Sequence, residues 1–130
     1  MTTFTHENFF PALQAALPEF VAFSPAAQQR LADPEYPIFG IFYDYTTRLR
    51  GLLDVDNRPD LVRYFAFLNQ LLDTQDAHLL ACIHDNVIEF LALSSSFYYQ
   101  ASLHYLSPFG VALLTDCKID PPLGVLPPAW

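Results

Sequence analysis

Residues 60–93, DLVRYFAFLNQLLDTQDAHLLACIHDNVIEFLAL, constrain the fold of this chain more strongly than any other segment. Apolar residues repeat at the 3.6-residue period of an α-helix in both halves of the stretch, which are separated by the acidic break DTQD. Asp76 in that break is a suitable helix N-cap, and Pro59 fits the first turn of the preceding helix. The pattern therefore predicts an antiparallel helical hairpin.

The N-terminal third contains helical signals interrupted by proline. Apolar spacing predicts a helix over about residues 8–17 that Pro18 ends. Residues 18–37 contain four prolines and are predicted to form a connector. Within it, Ser24 and Pro34 are a plausible start and stop for one short helix.

Residues 38–53 have apolar side chains at helical spacing. Asp44 and Arg48 are four residues apart with the acid first, which suits an ion pair along a helix. The β-branched and aromatic residues at 38–47 leave a strand possible, but the length of the segment favours a helix.

The C-terminal third offers one clear helix start. Ser107 and Pro108 predict a last helix that reaches about residue 116. The preceding FYYQASLHYL is compatible with a helix or an extended piece. Residues 117–130 are predicted to be a proline-rich tail.

These elements indicate an all-α fold, a single-domain bundle of five to seven helices around a central antiparallel hairpin, over residues 1–130. With 52% hydrophobic and 15% aromatic residues, the chain has ample material for one packed core. The hairpin also has HEAT-like dimensions, so a solenoid fragment is the alternative architecture.

The charge of the chain narrows its class of partner. Six Lys and Arg residues against fourteen Asp and Glu residues give a net charge of −8. Such a surface repels nucleic-acid phosphates and attracts basic proteins, so we expect a protein partner and no nucleic acid. The apolar runs are too short to span a membrane, and the first residues lack a signal-peptide pattern. Cys82 and Cys117 lack metal-like or redox-like spacing, so buried thiols in a cytoplasmic protein are expected.

Motifs for catalysis are missing from the sequence. The four glycines form no phosphate-binding loop, and no nucleophile elbow occurs. We therefore predict no catalytic, cofactor-binding or metal-binding residues, and no cofactor.

The histidines of the second hairpin helix were the strongest candidates for a site. On an ideal helix, His78, Asp85 and Glu89 share one polar stripe, whereas His84 falls within the apolar arc. His78 and Asp85 are about 10.5 Å apart along the axis and cannot share an ion. Asp85 and Glu89 could share one, but no Glu-x-x-His motif completes a carboxylate site.

Acidic and aromatic residues are candidates for recognition. An acidic cluster in DVDNRPD precedes the hairpin and a second lies in its turn, although Asp60 and Asp76 also fit as helix-start acids. Tyrosines are favoured anchors at protein interfaces. The predicted partner-binding residues are Asp54, Asp56, Asp60, Asp73, Asp85, Glu89, Tyr98 and Tyr99.

The segments RPDLVRYFAFLNQLLDTQDAHLLACIHDNVIEFL and YLSPFGVALL resemble an uncharacterised family of small helical bacterial proteins. Members of that family look like immunity proteins of polymorphic-toxin systems. The shared pattern is an aromatic-rich helix, a short acidic turn, a helix with IxxxxxEFL and a late Ser-Pro or Gly-Pro helix start, over about residues 38–116. The resemblance implies stoichiometric binding and inhibition of a toxin without a cofactor, and it matches Glu89 to an acidic position of the pattern.

The leading prediction is a non-catalytic protein-binding module, an immunity protein whose partner is a basic toxin domain. One alternative is a small-molecule- or metal-binding helical domain or enzyme that uses His84, Asp85 and Glu89. The other is a structural homodimer that pairs through its aromatic surface, so monomer and homodimer both remain open.

Overall fold

The computed structural model describes residues 4–23 and 38–119, and the regular structure within these residues is helical throughout. The first four helices are α1 (Phe9–Ala16), α2 (Pro18–Phe23), α3 (Ile38–Asp54) and α4 (Arg58–Leu72). Helix α5 is continuous through Ala77–Ile83, a π-helical turn at His84–Ile88, and Glu89–Leu93. Helices α6 (Ser96–Leu103) and α7 (Pro108–Ile119) complete the described part. The predicted all-α fold is confirmed.

The predicted hairpin corresponds to α4 and α5, and a side-chain N-cap lies at the start of each helix. The Asn57 side chain accepts a hydrogen bond from the N–H of Asp60 at 3.3 Å, with Pro59 in the first turn of α4. The Asp76 carboxylate accepts from the N–H groups of His78 and Leu79 at 2.9 and 3.2 Å. The N-cap predicted at Asp76 is thus present, and it uses N–H groups that have no partner within the helix.

Helix α3 lies at the centre of the core, because it contacts α4, α5 and α6. Its residues Phe42, Tyr45 and Leu49 are fully buried. The ring of Phe9 from α1 stacks on Phe42 at 5.1 Å between centroids. The ring of Phe20 from α2 lies 5.6 Å from that of Tyr45, so the two N-terminal helices cover α3 through aromatic contacts.

The π-helical turn of α5 is held by hydrogen bonds from two side chains. Within the helix, Asn86 Nδ2 donates to the carbonyl of Cys82 at 2.8 Å. From α3, the single proton of the buried Thr46 hydroxyl is shared between the carbonyl of Phe42 at 2.8 Å and that of Asn86 at 3.0 Å. A π-helical turn widens the helix by one residue, and these contacts supply partners for its backbone carbonyls.

One predicted boundary is wrong in the described part of the N-terminal third. Pro18 begins α2, whereas the sequence placed it at the start of a connector. A proline fits this position because the first turn of a helix needs no backbone donor. The remainder of the predicted connector, with the helix proposed to start at Ser24, lies in residues 24–37, outside the described part.

The C-terminal boundaries also differ. Residues of FYYQASLHYL form α6, which settles the choice between helix and extended chain. Helix α7 continues to Ile119, so Cys117 and Lys118 belong to it and not to the tail. Leu114 and Cys117, three residues apart, are both buried, so the apolar face of α7 extends beyond residue 116. Residues 120–130 of the predicted tail lie outside the described part.

Helices with the length and apolar character needed to cross a bilayer do not occur in residues 4–23 and 38–119.

Replacing Thr46 by valine tests the support of the π-helical turn. The change keeps the shape of the side chain but leaves a partly buried carbonyl of Asn86 without that hydroxyl, so we expect a loss of about 1–2 kcal/mol in the free energy of unfolding. Thr47→Val is the matched control, because the Thr47 hydroxyl bonds only within its own helix and is exposed. Urea denaturation of the three proteins measures the difference, and equal losses in both variants would contradict the assignment.

Candidate functional site

Five of the eight predicted partner-binding residues lie at one of two sites in the structure, and the other three lie apart from both. Asp54 and Asp56 line a cleft between the α3–α4 turn and α6, and Tyr98 is hydrogen-bonded to Asp54. Asp85 and Glu89 lie beside His84 on the π-helical turn of α5. The other three residues are Asp60, Asp73 and Tyr99.

The cleft has a volume of about 580 Å³ and combines acidic, basic and aromatic side chains. Its lining includes Asp54, Asp56, Arg58, Phe97, His104 and Tyr105. Phe97 is 56% exposed, and Val55, between the two aspartates, is 71% exposed. Exposed apolar side chains beside charged groups are typical of surfaces that bind another molecule.

One residue of the cleft, Asp56, has an unusual backbone conformation that the end of α3 explains. Asp56 has a φ of 51°, in the left-handed region that few residues other than glycine adopt. Its N–H donates to the carbonyl of Leu53 at 3.2 Å, and the N–H of Asn57 donates to that of Leu52 at 3.0 Å. These two bonds form a Schellman motif, so the positive φ follows from the way α3 ends.

The carboxylates of the cleft already have partners. Asp54 Oδ1 accepts from the Tyr98 hydroxyl at 2.6 Å, and the Tyr98 ring lies 5.6 Å from that of Phe90. Burial, and then the Asp54 carboxylate, raise the pKa of Tyr98. Arg58 Nε lies 3.4 Å from Asp56 Oδ2, and both side chains are exposed. An exposed ion pair of this kind contributes little and exchanges readily.

The three remaining residues do not belong to either site. Asp60 receives hydrogen bonds from Asn57 and Arg63, both at 3.0 Å, so it stabilises the start of α4. Asp73 is exposed at the end of that helix. The Tyr99 ring lies under Lys118, with Nζ 3.9 Å from the ring centroid. Tyr98 and Tyr99 diverge because neighbouring helix residues are about 100° apart.

The π-helical turn brings together three potential ligand side chains. His84 Nδ1 lies 3.2 Å from Asp85 Oδ1 and 3.7 Å from Glu89 Oε1. One donor atom from each residue lies within 4.8 Å of the other two. The N–H of Glu89 donates to the carbonyl of His84, the five-residue bond of a π-helix, which places these two residues on the same side.

The placement of His84 within the apolar arc, away from the carboxylates, which an ideal helix predicts, is therefore wrong. His84 is partly buried beside the carboxylates, whereas His78 lies near the start of α5. The His78 ring is 4.9 Å from that of His6, and its Nε2 is 4.0 Å from Cys82 Sγ. The extra residue of the π-helical turn rotates the following side chains around the helix axis. A helical wheel drawn at about 100° per residue does not include this rotation.

A cysteine completes the surroundings of His84. Cys117 Sγ of α7 lies 3.3 Å from His84 Nε2, and Cys117 is only 2% exposed. Burial, and then the negative charges of Glu89, Asp116 and Asp85, raise the pKa of this thiol to about 11. A thiol beside a histidine and a carboxylate has the composition of a nucleophilic site, but a nucleophilic cysteine requires a lowered pKa. The raised pKa of Cys117 is the opposite of that requirement.

The surroundings of Glu89 raise the pKa of its carboxyl group. Burial, and then the nearby Asp85 carboxylate, raise its pKa, while His84 acts in the opposite direction. Two carboxylates and an imidazole thus face each other on a partly buried surface, where an added positive charge is favourable.

Protein-family models, curated proteins and solved structures include no match to this chain. The resemblance to immunity proteins therefore stays a prediction.

The raised pKa of Cys117 predicts slow alkylation. With EDTA present, the rate of reaction of Cys117 with iodoacetamide at pH 8 should be far below that of a free cysteine and should increase up to about pH 11, since only the thiolate reacts. Cys82→Ser isolates the Cys117 signal, and Cys117→Ser isolates that of Cys82. A rate for Cys117 that levels off below pH 8 would show a lowered pKa and reopen the nucleophilic interpretation.

Proposed function

We propose that this chain is a cytoplasmic, non-catalytic protein-binding module whose cleft beside α6 receives a basic segment of its partner. The observation that supports this is the juxtaposition of exposed Phe97 with the Asp54 and Asp56 carboxylates around one cleft. An aromatic residue next to carboxylates is suited to arginine or lysine side chains.

An arginine of the partner has two kinds of contact available in this cleft. Its guanidinium plane can stack on the Phe97 ring, and its N–H groups can reach a carboxylate. Asp54 uses one oxygen for Tyr98, and a carboxylate accepts several hydrogen bonds. Arg58 holds Asp56 only through an exposed pair, which a partner can replace at small cost.

The charge of the whole chain supports the same class of partner. A net charge of −8 speeds the approach of a basic protein, even through acidic residues that lie outside the cleft. In this proposal Asp60, Asp73, Asp85 and Glu89 contribute to this long-range attraction. Asp54, Asp56 and Tyr98 belong to the contact surface.

The resemblance to immunity proteins implies that the partner is a toxin, which this chain inhibits by stoichiometric binding. The negative charge of the chain favours a toxin with a basic surface. Inhibition by binding requires no cofactor and no turnover. A structural homodimer is the competing assembly, and exposed Phe97 is the residue that it would cover.

Affinity capture with matched baits tests the role of the cleft. Phe97→Ala removes the exposed ring of the cleft, while Phe109→Ala removes a ring that is 45% exposed at the start of α7. We expect one stoichiometric basic protein on the wild-type and Phe109→Ala baits and its loss from Phe97→Ala. The captured protein, expressed alone, should arrest growth, and the wild-type chain should restore it. Identical captures on all three baits would exclude the cleft, and capture of the chain's own copies alone would favour the homodimer.

Association kinetics test whether the cleft carboxylates guide binding. Asp54→Asn with Asp56→Asn should slow association several-fold and reduce its salt dependence, because two charges at the contact surface are lost. Asparagine is chosen because it tolerates the positive φ at position 56. The control, Asp73→Asn with Asp116→Asn, removes the same charge elsewhere. Equal slowing by both pairs would show that only the net charge matters.

A further inference from the structure

The π-helical turn of α5 contains a group of side chains that the proposed cleft does not use. His84 and Asp85 lie in this turn, Glu89 directly follows it, and one donor atom of each lies within 4.8 Å of the other two. Ideal α-helical geometry separates His84 from Glu89, and the five-residue hydrogen bond from the Glu89 N–H to the His84 carbonyl brings them together.

We propose that this turn binds a divalent transition-metal ion through His84 Nδ1 and one carboxylate oxygen each from Asp85 and Glu89. Metal–ligand bonds of about 2.0–2.2 Å place neighbouring ligand atoms roughly 3.3–3.5 Å apart. The distances from His84 Nδ1 are already 3.2 Å to Asp85 and 3.7 Å to Glu89. The three donor atoms lie within 4.8 Å of one another, so binding requires the two carboxylates, one of them on an exposed residue, to rotate toward the ion.

The support of the turn is an independent argument for a built site. Asn86 donates to the carbonyl of Cys82, and Thr46 reaches across from α3 to the carbonyl of Asn86. π-Helical turns are rare and frequently occur at functional sites, since they cost regular hydrogen bonds. Here the cost is offset by two side chains, one of which belongs to another helix.

The surroundings of the imidazole suit a metal ligand. A histidine that binds metal through one ring nitrogen usually has a hydrogen-bond partner at the other, which fixes the orientation of the ring. His84 Nε2 lies 3.3 Å from Cys117 Sγ, so its N–H can donate to the sulfur when Nδ1 holds the ion. Asp116 is a further negative charge near Cys117, and it increases the attraction for a cation.

The donor set determines the class of metal. One imidazole with two carboxylates favours Zn²⁺, Co²⁺ or Ni²⁺ over Mg²⁺ and Ca²⁺, which prefer all-oxygen ligands. Three protein ligands leave a position for water. The site is therefore an open one, in contrast to the closed sites that hold small domains together.

Titration of the full-length chain with Co²⁺ tests the site directly. The protein is first treated with EDTA and dialysed. Visible absorption then reports the binding of Co²⁺, and displacement of Co²⁺ by added Zn²⁺ gives the affinity for Zn²⁺. We expect Glu89→Gln and His84→Ala each to weaken binding by about tenfold or more. Asp116→Asn removes a nearby charge without removing a ligand, so its effect should stay within about threefold.

Two further variants distinguish the outcomes. His78→Ala removes the other histidine of α5, whose ring lies beside that of His6. This variant should leave metal binding unchanged. Phe97→Ala, which alters the cleft, should also leave it unchanged, so failure of the protein-binding proposal does not affect this one. Thermal unfolding without metal shows whether each variant is folded. If a ligand variant is not folded, Asp85→Asn takes its place, because Asp85 is exposed.

Three results would overturn the proposal. They are the absence of a Co²⁺ spectrum at millimolar metal, binding that persists in both His84→Ala and Glu89→Gln, and binding that is lost with His78→Ala.

Discussion

The contact between Thr46 of α3 and the carbonyl of Asn86 in α5 is the constraint on which the arrangement of both helices depends. Helix α3 lies at the centre of the core, and α5 packs on it with a π-helical turn at the point of contact. A wider turn leaves backbone carbonyls in need of partners, and a buried carbonyl without one is costly. The Thr46 hydroxyl supplies that partner for Asn86, and with the Asn86 side chain it stabilises the π-helical turn that sets the phase of α5 beyond residue 84. The buried positions Leu91 and Ala92 and the approach of Glu89 to His84 both follow from this phase.

A second polar contact holds the N-terminal segment on the same helix. The two oxygens of Asp76 divide their partners, since Oδ1 caps α5 while Oδ2 accepts from the N–H of His6 at 2.8 Å and lies 2.6 Å from its Nδ1. The His6 N–H, and then its ring, hold the pKa of Asp76 well below its ordinary value. A carboxylate whose pKa is lowered by folding stabilises the fold above its unfolded pKa, near 3.9, and loses this effect only as the pH falls below that value. The contact is therefore fully formed at neutral pH.

Much of the fold could be predicted because helix ends have local chemical signals. Asp76, Pro59 and the Ser107–Pro108 pair each mark a helix start, and each does so in the structure. The connector predicted to begin at Pro18 is wrong there, because a proline that stops one helix can also start the next. The all-α class followed from apolar spacing, which does not depend on tertiary contacts.

The candidate metal site could not be predicted from the same patterns. A helical wheel assumes 100° per residue, and the π-helical turn breaks that assumption between His84 and Glu89. The cause of the turn lies partly in α3, forty residues earlier at Thr46, so no local pattern contains it. Asn86 inside an apolar helix was the one local signal, since its side chain bonds the backbone of its own helix. The contact of His84 with Cys117, thirty-three residues apart, depends on how α5 and α7 pack.

The distribution of charge separates the two sites in a way that counting residues does not. The acidic loop before the hairpin is the densest group of carboxylates in the sequence, yet Asp54 is bonded to Tyr98 and Asp56 to Arg58. Around Cys117, in contrast, three carboxylates are close enough to raise the pKa of the thiol. The cleft therefore offers an exposed ring and ion pairs that a basic partner can exchange, whereas the π-helical turn concentrates negative charge on an imidazole. The first combination suits side chains of another protein, and the second suits a cation.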